Sequence, residues 1–176
     1  LARELCELYT ARVEEREAIL PELPVQFADF ALWQRQMLDK PEAARRLAYW
    51  KNKLQGAPAG LELPTDRPRP AVASYRGAHV PVTLAPETVE ALRALAQRQG
   101  VTLYMVLLAA FQVVLSRWSG QDDVVVGSPV AGRMLAETEP MIGFFANTLA
   151  LRGDLSGNPS FETLLHRTRQ TALEAY

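Results

Sequence analysis

Apolar residues recur every three or four positions along much of this chain, and that spacing predicts a run of helices. Leu1, Leu5 and Leu8, with Arg12, line one side of a first helix, while Glu4, Glu7 and Glu14 fall on its other faces. Pro21 and Pro24 break the pattern, because proline lacks an N–H and restrains the residue before it. Helical spacing returns from Val25 to Leu38 through Phe27, Phe30, Ala31, Leu32, Trp33 and Met37. Asp39-Lys40-Pro41 closes that helix and opens a third, which runs to about Gln55 with Leu47, Trp50 and Leu54 as its stripe. Gly56 suits its C-terminal cap. Pro58, Pro64, Pro68 and Pro70 then punctuate a stiff, extended connection. It is long for a turn inside a compact domain and predicts a crossover between two packed regions.

Beyond the crossover the period changes to two. Val80, Val82 and Leu84 alternate with His79, Pro81 and Thr83, which predicts a strand that Pro81 confines to a sheet edge. Pro86 opens a helix striped by Val89, Leu92 and Leu95 and closed by Gly100. Thr102 leads into a helix that is apolar on every side from Leu103 to Leu115, interrupted by Gln112. Its length falls short of a hydrocarbon core of about 30 Å, so it is expected as a buried core helix. A turn at Gly120–Asp123 precedes a short strand, Val124–Val126, and a loop from Gly127 to Arg133. Phe144 to Arg152 is the strongest strand candidate, with Phe145, Asn147, Leu149 and Leu151 on one face. Asn158-Pro159-Ser160 caps a last helix that turns Phe161, Leu164, Leu165, Thr168 and Ala172 inward.

Helices with a few strands in one 176-residue chain predict a mixed α/β fold, a sheet with flanking helices. Composition narrows the partners. Nineteen cationic residues against twenty acidic ones leave a net charge of −1, which argues against nucleic-acid binding through a broad basic face and against electrostatic membrane attachment. The single cysteine, Cys6, makes neither an intrachain disulfide nor a cysteine metal site, and a reducing compartment, the cytoplasm, is expected. Two histidines exclude a multi-histidine metal centre.

Candidate chemistry is sparse. His79 lies on the polar side of its predicted strand, and His166 sits off the stripe of its helix beside Arg167 and Arg169, so neither makes a convincing general base. Ser128 lacks the G-x-S-x-G elbow, and Pro129 removes an N–H that an oxyanion hole would use. Asp122-Asp123 is explained by turn chemistry. Cys6 is expected as a small buried apolar residue, and Trp33 and Trp50 as packing aromatics. Asn147 stands out. An amide among Phe145, Leu149 and Leu151 is expected to be fully hydrogen-bonded or to face a wet channel, or else to be turned to solvent near a strand end.

Four segments in register resemble the condensation domains of non-ribosomal peptide synthetases. Phe27-Ala28-Asp29-Phe30-Ala31-Leu32-Trp33-Gln34 is similar to the family's Y-x-D-F-A-x-W-Q, with Phe27 in place of Tyr. Ile142-Gly143-Phe144-Phe145-Ala146-Asn147-Thr148-Leu149, followed by Arg152, is similar to I-G-x-F-V-N-T-L…R, with Ala146 in place of Val. Leu63–Pro70 and Val126–Arg133 also fit.

The resemblance implies part of a two-lobed, chloramphenicol acetyltransferase-like fold with its active site in a tunnel between the lobes. Residues 1–56 would be the helical end of the first lobe, 57–76 the Pro-rich crossover and 77–176 part of the second lobe. The implied chemistry joins an upstream aminoacyl or peptidyl thioester to an amine on a downstream carrier. Both are delivered on 4'-phosphopantetheine arms by donor and acceptor peptidyl carrier proteins, next to an adenylation domain. The chain itself would bind no cofactor, no metal, no nucleic acid and no membrane. The family's catalytic H-H-x-x-x-D-G is not in this sequence and is expected upstream of Leu1, so the 176 residues alone are not expected to catalyse. Asn147, Gly143, Phe144, Ser128 and Arg133 become the substrate-channel candidates, and Asp29, Trp33 and Arg67 structural ones. Two other functions fit the same resemblance: an epimerising or ester-forming relative, and a non-catalytic module that docks a carrier or another enzyme.

Overall fold

The computed structural model describes residues 1–68 and 70–176; Arg69, within the Leu63–Pro70 stretch, lies outside the described residues. Helices α1 (Ala2–Val13), α2 (Phe27–Leu38), α3 (Pro41–Leu54), α4 (Pro86–Arg98), α5 (Leu103–Ser119) and α6 (Phe161–Ala175) accompany strands β1 (Asp123–Val130) and β2 (Asn147–Asp154). The two strands pair in a small antiparallel sheet. By internal packing the chain divides into one unit of residues 1–52 and 129–148 and another of 53–128 and 149–176.

In the second unit, α5 and α6 pack together and α4 leans on α5. The core gathers Met105, Val106 and Ala109 of α5, Leu164, Leu165 and Ala172 of α6, Val124 of β1 and Leu155 just past β2. Each large side chain removed from water there contributes about 1.5–3 kcal/mol. Local chemistry fixes where the helices start and stop. Thr102 Oγ1 accepts the Met105 N–H at 3.2 Å, and Ser160 Oγ accepts the Thr163 N–H at 3.2 Å. Gly120 closes α5 at φ 71°, a left-handed conformation that a side chain would strain.

One polar link runs through this core. Gln112, 1% exposed, donates from Nε2 to the Leu151 carbonyl at 3.4 Å and accepts from Thr168 Oγ1 at 3.4 Å. It thereby ties α5 to β2 and α6. Gly153 makes room for it, since a Cβ there would come within 2.6 Å of the Gln112 amide.

The first unit is built around aromatic packing. Phe145 is buried, with its ring 5.2 Å from Phe27 and 4.8 Å from Phe30. Trp33 stacks 5.7 Å from Phe30. Ala11, Thr138 and Met141 are the other fully covered side chains of this unit.

Several sequence expectations are corrected. Residues 79–84 form no strand: Val80 is 84% and Val82 83% exposed, and among the described residues β1 and β2 pair only with each other. An alternating pattern becomes a strand only where a neighbour takes its backbone groups. The loop expected from Gly127 is strand as far as Val130, because Ser128 and Val130 continue the inward phase of Val124 and Val126. β2 starts three residues later than expected and ends two later, although Leu149 and Leu151 do share its inward face. Helix α5 is covered on one face only. Cys6 is exposed, as are Leu1, Leu5 and Leu8, so the stripe of α1 is not buried.

Candidate functional site

The candidate residues fall in both units, and each group is described within its own. In the first unit the turn before β2 is held from beneath. The Arg133 guanidinium lies over the Phe145 ring, 4.1 Å from its centroid, and Nη1 donates to the Thr138 carbonyl. A cation on an aromatic face contributes about 0.5–2 kcal/mol, more where water is kept away. Gly132, at φ 66°, passes directly beside the Phe145 carbonyl, and any Cβ would strike it. Gly143 passes similarly close to the Phe27 ring. Two glycines and one arginine thus let the backbone close round Phe145 and fix the direction in which β2 begins.

Phe144 and Asn147 are what that fixed turn presents. Phe144, next to the buried Phe145, is 83% exposed. Asn147 is the first residue of β2 and is exposed; its Oδ1 accepts the Thr148 N–H at 2.8 Å. The geometry therefore matches the solvent-facing strand-end arrangement and leaves the amide N–H groups pointing away from this local bond. Asp29 acts within the helix start, its Oδ2 accepting the Gln26 N–H at 2.8 Å. Trp33 is partly exposed against Phe30, and Arg67 is exposed.

In the second unit Ser128 is buried, and its Oγ accepts the Tyr104 hydroxyl at 2.6 Å. Tyr104 is a contact the sequence pattern did not single out. Its spacing placed it only among the apolar residues of α5.

The pairing of Arg152 with Asp123 was also not foreseen. Nε and Nη2 donate to the two carboxylate oxygens at 2.8 and 2.6 Å, and Nη1 reaches the carbonyls of Lys53 at 3.0 Å and Gln55 at 2.8 Å. The hydrogen bonds to Asp123 hold the guanidinium even more firmly protonated than usual. Lys53 continues the same network with an ion pair to Glu174 at 3.1 Å. The Glu174 carboxylate is held below the usual range, first by its hydrogen bond from Gln170 and then by that from Lys53. This cluster ties the end of α3 to β1, β2 and α6. It is a structural clamp.

No acid–base pair emerges. His79 and His166 are both exposed. Among the described residues no group of three or more His, Cys, Asp or Glu side chains could hold a metal ion. An open apolar recess of about 370 Å³ lies among Leu54, Ala57, Pro58, Leu61, Val125 and Ala150, without a titratable side chain in its lining. No single helix among the described residues is long and apolar enough to cross a membrane.

Comparison with known proteins gives these features a context. A family model described as the condensation domain matches residues 1–176. A linear gramicidin synthase polypeptide of Brevibacillus parabrevis is 56% identical over 99% of this chain, which corresponds to 3% of that protein. Among solved structures, the X-domain in complex with OxyB from teicoplanin biosynthesis superposes with a TM-score of 0.91 at 31% identity, over 98% of this chain and 39% of that one. The first condensation domain of the CDA synthetase superposes with a TM-score of 0.68 at 25% identity, over 96% of this chain and 36% of that one. The chain therefore spans well under half of the solved domains and a few per cent of the gramicidin synthase polypeptide.

Proposed function

The chain belongs to the condensation-domain family of non-ribosomal peptide synthetases, enzymes of secondary-metabolite synthesis, and on that premise we propose that it forms part of an amide-forming domain. The fold is accordingly a portion of the chloramphenicol acetyltransferase-like architecture of that family. Within the proposal, residues 1–56 end one lobe, 57–76 cross over and 77–176 belong to the second.

The reaction is attack by the amine of an acceptor aminoacyl group on the thioester carbonyl of the donor. A C–N bond forms and the C–S bond breaks. The thiol of the donor arm leaves, and the proton lost by the amine ends on that thiol. Both substrates come on 4'-phosphopantetheine arms of donor and acceptor carrier proteins, with an adenylation domain alongside to load them, in the cytoplasm. Condensation domains work beside such domains in multidomain synthetases. None of the groups of residues 1–176 is assigned the role of general base, since the chain lacks H-H-x-x-x-D-G.

One observation carries the assignment of a site to this chain: the I-G-x-F-x-N-T-L segment is built as a rigid turn that buries Phe145 and exposes Asn147 at the head of β2. With its Oδ1 occupied by Thr148 N–H, the Asn147 amide has N–H donors to offer a substrate carbonyl. Gly143 and Phe144 shape the approach to it, while Ser128 and Arg133 are proposed as further channel residues.

The test is Asn147→Ala in the whole synthetase, with separately loaded donor and acceptor carriers and product read as the mass of the acceptor-bound dipeptidyl arm. Loss of one preorganised donor slows single-turnover product formation by about 100-fold. Unchanged turnover at saturating carriers removes Asn147 from the site. If the unsubstituted protein binds both carriers yet makes no dipeptide, the docking function replaces the catalytic one; an ester formed with a hydroxyl acceptor would assign the ester-forming relative.

A further inference from the structure

Ser128 and Tyr104 are each held rigidly where their hydroxyls meet. Ser128 lies within β1 and precedes Pro129, whose ring confines it to extended backbone. Tyr104 is the second residue of α5, in the turn pinned by the bond from the Met105 N–H to Thr102 Oγ1. The phenol donates to Ser128 Oγ at 2.6 Å, and Ser128 is only 7% exposed. A serine hydroxyl has one proton to give and two lone pairs. Tyr104 takes one lone pair, and among the described residues no acceptor takes the Ser128 proton. Covered polar groups in native proteins are nearly all matched. A tie between α5 and β1 needs only the bond from Tyr104 and gives no reason for a spare donor.

We propose that Tyr104 is a positioning residue, holding Ser128 so that the serine O–H donates to the carbonyl oxygen of the acyl group under attack. This rests on the amide-forming reading above, in which Ser128 borders the channel. The chemistry of the pair selects the acceptor. Neither hydroxyl is bonded to a charged side chain, so the donor is neutral and suits an uncharged oxygen better than a carboxylate or a phosphate. A thioester carbonyl begins neutral and gathers negative charge as the amine adds. Donors fixed in advance act most strongly on an oxygen of that kind. Accepting the Tyr104 proton also polarises the serine O–H and makes it the stronger donor, as along any chain of hydrogen bonds. Direction matters as well. With the phenol as donor, the serine proton is turned away from Tyr104; without it, the hydroxyl rotates freely about its C–O bond and loses that preference.

The test uses the whole synthetase with donor and acceptor carriers loaded separately, and reads single-turnover dipeptide formation over a range of carrier concentrations. Tyr104→Phe removes one oxygen and keeps the ring. Its maximal rate falls about tenfold, while the carrier concentration at half-maximal rate stays within about twofold. Ser128→Ala falls further, by about 100-fold. Adding Tyr104→Phe to it costs nothing more, because the phenol acts only through the serine. Ser160→Ala removes the cap of α6 and leaves the rate unchanged, so a loss caused by loosened packing would show there as well. Tyr104→Phe at full rate overturns the proposal. A change confined to the half-saturating concentration, or a further loss in the double variant, overturns it too. Ser128→Ala at full rate with a lowered thermal midpoint gives the serine proton to a protein group elsewhere in the domain, and the proposal fails. In each of these outcomes the unsubstituted synthetase makes dipeptide, and Asn147→Ala is judged separately. An unsubstituted synthetase that makes no dipeptide removes the amide-forming reading itself, and this proposal with it.

Discussion

Arg152 and Asp123, 29 residues apart in sequence, form a two-pronged ion pair with both contacts under 2.9 Å, and the third arm of the same guanidinium holds the carbonyls of Lys53 and Gln55, on either side of the end of α3. The side chains are 22% and 38% exposed, so the pair is only partly screened. Arg152→Ala removes four charge-assisted hydrogen bonds and frees the end of α3, which should cost about 1–3 kcal/mol in a urea titration. Arg152→Lys keeps the charge but not the fork and should recover less than half of that loss.

Gln112 and Thr168 should behave as a unit. Gln112→Leu strands the Leu151 carbonyl and the Thr168 hydroxyl in the core, at about 1–3 kcal/mol. Adding Thr168→Val removes one of the two orphaned groups. The double variant should then be more stable than the sum of the singles predicts, by about 0.5–1.5 kcal/mol in a double-mutant cycle of denaturation midpoints.

Gly132→Ala and Gly143→Ala should differ although both crowd the same turn. At Gly132 the added methyl meets the Phe145 backbone and the residue sits at φ 66°, so nothing nearby relieves the collision; about 2–4 kcal/mol of destabilisation is expected. At Gly143 the obstacle is the Phe27 ring, 36% exposed and able to turn outward, and the cost should be about half as large. Thermal melts rank the two.

Glu7 gives an acid-sensitive latch at the end of α1. Its carboxylate accepts from Arg16 at 2.7 Å and from the Ile19 N–H at 2.9 Å. The Arg16 hydrogen bond, aided by Ile19, depresses its pKa to about 2. A depressed carboxylate contributes stability that is fully present above its unfolded value of 4.5 and is lost as pH falls through about 2. Proteolysis by an acid protease between residues 14 and 20 should therefore accelerate from pH 4.5 towards pH 2, and Glu7→Gln should show that faster cleavage already at pH 4.5.

The helices were legible because their determinants lie within a few residues. Prolines at the first positions of α3 and α4, Thr102 and Ser160 as caps, and Gly56, Gly100 and Gly120 past the ends all act inside one or two turns. Of the five residues expected inward on α6, Leu164, Leu165, Thr168 and Ala172 follow from the same short period, whereas Phe161 at the first turn is 39% exposed. Strand boundaries were less legible. Val80-Pro81-Val82 and Ser128-Pro129-Val130 carry similar alternation, yet only the second found a strand to pair with. The candidate site was legible as a motif, not as a geometry. Nothing within the segment 142–149 states that Phe145 would be wrapped by Phe27, Phe30 and Arg133 while Phe144 and Asn147 stayed outside.

By itself, then, the amino-acid order determined the helices, their caps and the family, because helical hydrogen bonds close within four residues and a motif is a matter of residue identity. Tertiary structure alone decided which apolar faces were covered. It buried Met105, Val106, Leu108, Ala109 and Gln112 of α5, took Ser128 inward against Tyr104, and brought Arg152 to Asp123. Each of those outcomes depends on a partner many residues away, and the position of that partner is not written in the local sequence.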